Sequence, residues 1–167
     1  DAGWQLVAIP ALPSSFSEIS LDEFMVQTFQ TDLGYIMSKE TIRAATGCLP
    51  AAGRAIWAKL PTHIQTMIPS SEAMDTSSVT VQQLDAGWNL LGNPYPESIH
   101  WAGNITVACG TAPMPLTGAT DHGYTDGKAY TWQSGKWTKV SAGETLPPLA
   151  GIALKMNTEG CDITIAR

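Results

Sequence analysis

The chain has 167 residues, 44% of them hydrophobic and 14% charged, with 15 glycines and 11 prolines. That composition supplies a packed core, and so many turn formers suit short strands better than long helices. A net charge of −6 without any cluster of cations argues against nucleic acid, and no apolar run approaches the roughly 20 residues that span a bilayer.

In chain order, Gly3-Trp4-Gln5-Leu6-Val7-Ala8 reads as an opening strand, ended by Pro10, which cannot donate to a ladder. Ser20-Leu21-Asp22-Glu23 fits a capping box. Leu21, Phe24, Met25 and Thr28 then share one face, so a short helix is expected there. A Tyr-started segment follows at Tyr35, and Ala55-Ile56-Trp57-Ala58-Lys59-Leu60 reads as a closing strand. Residues 69–77 are linker-like. Ser78 to Leu84 alternates as a strand, and at Asp85 the opening recurs as Asp85-Ala86-Gly87-Trp88-Asn89-Leu90-Leu91-Gly92-Asn93-Pro94. Ile105–Cys109 is a further strand, and Thr111 to Gly127 reads as a long polar loop. Tyr130 to Trp137 reads as a hairpin turning at Ser134-Gly135, Gly151 to Met156 as the second closing strand, and Asp162 to Ala166 as the last strand. The expected architecture is all-β, a pseudo-symmetric two-repeat sandwich or barrel with one short helix. It forms a single domain over 1–167, with halves 1–68 and 78–167 joined by 69–77. Trp4 and Trp88, at matched positions, are expected in the core, since two small units would bury their apolar faces together.

Cys48, Cys109 and Cys161 are widely spaced and form no C-x-x-C zinc pattern. Two readings stay open: a Cys109–Cys161 disulfide within the second half, or three buried reduced thiols. Asp1 does not open a charged stretch followed by an apolar one, so the chain reads as beginning at a mature or excised end.

Gly87-Trp88-Asn89-Leu90-Leu91-Gly92-Asn93-Pro94-Tyr95-Pro96, continuing to His100-Trp101, resembles a recurrent segment of secreted and surface proteins of Bacteroidetes and related bacteria. There a GWNLVGNPYPSPIDW phrase precedes a Tyr/Trp hairpin and a closing PGxGYWVK strand. Thr145 to Lys155 is similar to that close but lacks its aromatics, and Gly53 to Lys59 is nearer to it. The resemblance implies a secreted or cell-surface, multimodular context beside adhesion or polysaccharide-degrading modules. It supplies no catalytic residue and no fixed ligand.

Chemistry is therefore read from the side chains. His63, His100 and His122 stand in no recognisable catalytic motif, so no catalytic residue is assigned and a non-enzymatic module is expected. The six tryptophans point instead to carbohydrate, because the apolar C–H faces of sugars stack on aromatic rings. Period two puts Tyr130 and Trp132 on one face, with Trp137 across the turn and Gln133 at the rim. Loop-borne Tyr95, Trp101 and Tyr124 are separate candidates. The ligand set is thus Tyr130, Trp132, Gln133, Trp137, Trp101 and Tyr124, and the expected partners are a polysaccharide and neighbouring modules of the same polypeptide. The competing reading makes the aromatics internal and the chain a structural or adhesive spacer, or a protein-interaction module using a strand edge. No cofactor is required. Asp121 and Asp126, in an Asp/Gly-rich loop, are the candidate ligands were calcium bound, although the full EF-hand spacing is missing and an ordinary Asp-Gly turn is the favoured reading.

Overall fold

The computed structural model describes residues 3–8, 35–36, 52–60 and 77–167. The expected helix near Ser20, Cys48, His63 and most of the 69–77 connector lie outside the described residues. The strands are β1 (Gly3–Ala8), β2 (Tyr35–Ile36), β3 (Ala55–Leu60), β4 (Ser78–Leu84), β5 (Gly87–Gly92), β6 (Ile99–His100), β7 (Ile105–Ala108), β8 (Met114–Pro115), β9 (Thr125–Gln133), β10 (Lys136–Val140), β11 (Thr145–Leu146), β12 (Gly151–Met156) and β13 (Cys161–Ala166). One helix, α1 (Leu116–Asp121), lies between β8 and β9. No described helix is long and apolar enough to cross a membrane.

Two four-stranded antiparallel sheets, ordered β10-β9-β12-β5 and β4-β13-β7-β8, pack face to face as a sandwich. Alternation in the strands determines the core. Cys161, Ile163 and Ile165 of β13 are buried between half-buried neighbours, and Val79, Val81 and Leu84 of β4 are buried between exposed ones, with an irregularity before Leu84. They meet Leu91, Ala129, Ile152, Leu154 and Met156 from the other sheet. Cys109 and Cys161 form a disulfide beside the β7–β13 ladder, which decides between the two readings left open by the sequence.

Both sheets of the sandwich are drawn from residues 78–166, not one from each repeat. A stretch of that size already buries enough apolar surface to form its own core. The described strands of the first half form a separate sheet, β1-β3-β2, yet its pairing repeats that of the second half rung for rung. Gly3↔Leu60, Trp4↔Lys59 and Leu6↔Trp57 correspond to Gly87↔Met156, Trp88↔Lys155 and Leu90↔Ala153. In both halves a Tyr-bearing strand, β2 with Tyr35 or β9 with Tyr130, lies on the far side of the closing strand.

The contacts between the halves are reciprocal. Isolated bridges join Val7 to Ala150 and Leu91 to Arg54. The Ala8 N–H donates to the Leu149 carbonyl at 2.8 Å, while that of Gly92, its counterpart, donates to Gly53 at 3.0 Å. Each opening strand therefore contacts the segment just before the other's closing strand, the pattern of an isologous two-fold interface. Glycine permits this approach. A Cβ on Gly151 would lie 2.6 Å from Leu6 Cγ, and one on Gly92 2.6 Å from Ala8 Cβ.

The segment read as a long loop from Thr111 to Gly127 instead contains β8 and α1. Leu116 and Ala119, three apart, face the core. Gly123, at φ 76°, closes the helix: its N–H donates to Thr120 at 2.9 Å, and that of Tyr124 donates to Ala119 at 2.9 Å. That is a Schellman cap. Gly118 and two threonines in six residues hide such a helix from propensity.

Candidate ligand-binding face

The outer face of the β10-β9-β12-β5 sheet gathers most of the exposed aromatic surface. Because side chains alternate, Asn89 and Leu91 of β5 point inward while Trp88 and Leu90 point out. Leu90, Ala153 and Tyr130 pair in one row across β5, β12 and β9, and Trp132 faces Trp137 across the hairpin. Ser134 and Gly135, at φ 50° and 81°, make the tight turn that sets this register. Trp88, Leu90, Tyr130, Trp137 and Ala153 line an open groove of about 470 Å³. Trp88 is 56% exposed and Trp137 45%, whereas Trp132 is half-buried.

The rings are held edge to face. Trp88 and Tyr130 lie 5.7 Å apart at 71°. Trp132 and Trp137 lie 5.4 Å apart, and Trp57 of the first half packs on both, at 5.4 and 5.7 Å. These are the preferred quadrupolar geometries. The cluster is therefore composite, and Trp57 is a contribution that period-two reasoning within the second half could not find.

The other sequence candidates fall elsewhere. Trp101 is 2% exposed, in the core, and offers no face to a ligand. Its backbone N–H donates to the Glu144 carbonyl at 3.0 Å, and its side chain belongs to the same buried core as Ile99 and Leu146. Tyr95 is fully buried and donates its hydroxyl to the Ile165 carbonyl at 2.8 Å. Burial pushes its pKa from 10 up to about 12, against the lowering effect of Arg167. Tyr124 is half-buried and stacked on His122 at 5.9 Å. Gln133 is exposed at the hairpin rim. Trp88, expected in the core, is the most exposed large apolar residue described, since the period of its strand was right and the assigned side inverted.

Asp121 ends α1, and Asp126 accepts from the Lys128 N–H at 3.0 Å while its other oxygen lies 3.4 Å from Lys128 Nζ. Among the described residues no three His, Cys, Asp or Glu side chains group as a metal site. The Gly-Asn-Pro-Tyr phrase has a structural use. Buried Asn93 donates to the carbonyls of Glu97, Leu146 and Pro147 and accepts from the Tyr95 N–H, tying the turn after β5 to the segment before β12.

No protein-family model, curated protein or solved structure matches the chain.

Proposed function

We propose that this chain is a non-catalytic module of a secreted or cell-surface bacterial protein, and that it binds a polysaccharide on the outer face of the β10-β9-β12-β5 sheet. The observation that carries the reading is the pair of exposed tryptophans, Trp88 and Trp137, flanking an open apolar groove that Tyr130 also lines. Large aromatics left in water at one concave place signal a ligand more than scattered surface residues do. Sugar rings stack on such faces, whereas Gln133, exposed at the hairpin end, alternates to the other side of β9 from Tyr130 and Trp132. The Cys109–Cys161 disulfide supports an oxidising, exported setting, as does the resemblance to bacterial surface modules. The reading calls on no cofactor.

Affinity electrophoresis against a panel of plant and microbial glycans tests it. At least one glycan should retard the protein, and Trp88→Ala or Trp137→Ala should each weaken retention about tenfold, or about 1.4 kcal/mol. Retention that survives both changes moves the site elsewhere. No retention on any glycan favours the spacer reading, which the packing of Trp57 against Trp132 and Trp137 supports.

A further inference from the structure

We infer that the polymer recognised by this groove is anionic, bearing carboxylate or sulfate groups along its length; the inference rests on the proposed polysaccharide site. The chain as a whole is acidic, with 15 Asp and Glu against 9 Lys and Arg. The aromatic sheet reverses that balance. Its four strands carry Lys128, Lys136, Lys139 and Lys155 and a single carboxylate, Asp126.

Placement is more telling than number. Lys155 is the rung partner of Trp88, and Lys139 that of Tyr130. Directly paired residues share a face with Cβ atoms about 5 Å apart, so each lysine stem starts beside an aromatic side chain of the groove. Both lysines are exposed, and the ion pairs of the described residues, Lys128–Asp126 and Arg167–Glu97, leave them out. A sugar whose apolar face rests on Trp88 or Tyr130 would carry an equatorial carboxylate or sulfate outward within reach of a lysine. Lysine suits this as a compact charge on a flexible stem, with no demand for the fixed fork of arginine. A single-stranded nucleic acid also combines stacking with negative charge. It fits less well, because binding a phosphate backbone draws on roughly 6–10 cations, more than the four lysines these strands carry.

The test is affinity electrophoresis of the whole chain in matched polymers: dextran against dextran sulfate, a neutral glucomannan against polygalacturonate and alginate, and a single-stranded oligonucleotide. Anionic glycans should retard the protein and their neutral counterparts should not. Retardation should fall about tenfold between roughly 0.02 and 0.5 M NaCl, as the Debye length shrinks. Lys139→Gln with Lys155→Gln should cause a similar loss, and Lys139→Arg with Lys155→Arg should restore it. Equal retention of neutral glycans, indifferent to salt and to the Gln changes, overturns the charge inference while leaving glycan binding intact. Retention on dextran sulfate that survives Trp88→Ala with Trp137→Ala is simple ion exchange and overturns it, as does preference for the oligonucleotide. A protein that no glycan retains refutes the polysaccharide site, and the anionic ligand with it.

Discussion

Removing Trp57 should loosen a cluster that belongs to the other half of the chain. In Trp57→Ala two edge-to-face contacts, at 5.4 and 5.7 Å, are lost. At about 1 kcal/mol each they amount to about 2 kcal/mol. The ring is half-buried, so lost apolar burial adds about 1 kcal/mol. The total of about 3 kcal/mol should lower the urea midpoint by about 1.5 M at an m-value of about 2 kcal/mol/M. Trp57→Phe keeps an edge-to-face partner and should lose less than half as much. Uniform labelling with 5-fluorotryptophan supplies the local readout, since each of the six tryptophans gives its own resonance. The lines of Trp132 and Trp137 should shift in Trp57→Ala, while that of Trp101, buried in the sandwich, stays put. A stability change under about 0.5 kcal/mol with unmoved Trp132 and Trp137 lines would refute the composite cluster, because surface changes alone stay within that range.

Gly151→Ala places a methyl against Leu6 at a distance no side chain tolerates, so urea unfolding should show a loss of about 1–3 kcal/mol. Gly143→Ala, where an added Cβ meets nothing within 4 Å, should leave the midpoint in place. Stability should fall above pH 10. There the unfolded chain ionises Tyr95, while the folded chain keeps it neutral up to about 12, so the native state binds more protons across that window. The loss of roughly 2–3 kcal/mol by pH 12 should shrink in Tyr95→Phe, as read by denaturant titrations at successive pH values. Reduction of Cys109–Cys161, which spans 52 residues, should cost about 4 kcal/mol by the loop-closure relation, measured as the midpoint difference with and without a thiol reductant.

Backbone periodicity was readable from the sequence, whereas the direction of the faces was not. The duplicated Gly-Trp-x-Leu opening and lysine-ended close correspond to strand pairs of identical register. The hairpin at Ser134-Gly135 stands where its turn residues place it. Period two correctly put Trp88 with Leu90. It could not say that Asn89 would be the buried neighbour, because Asn89 is satisfied inside by the Asp85 and Gly87 carbonyls, and propensity assigns a tryptophan to the core before an asparagine. Trp101 was misplaced for the converse reason: a loop position looks exposed until the β6–β11 pair and the Glu144 contact draw it inward. Helix α1 was missed because a distant core, not local propensity, holds Leu116 and Ala119.

At one pair of equivalent rungs the repeats differ in a way that shapes the groove. Trp57 pairs with Leu6 where Ala153 pairs with Leu90, so one copy has an indole and the other a methyl at the same place in the strand. The indole packs on Trp132 and Trp137 of the second half, whereas the methyl helps line the groove. A duplicated surface with tryptophan at both positions would fill its own concavity, and one with alanine at both would leave Trp132 and Trp137 only each other to pack on. With one of each, a reciprocal interface holds the halves together at Gly92 and Gly151 and still leaves Trp88 and Trp137 in water. Ala153→Trp should therefore close the groove without disturbing the pairing of β5 with β12. Loss of 5-fluorotryptophan solvent accessibility at Trp88, with an unchanged urea midpoint, is the result that distinguishes a filled groove from a disrupted sheet.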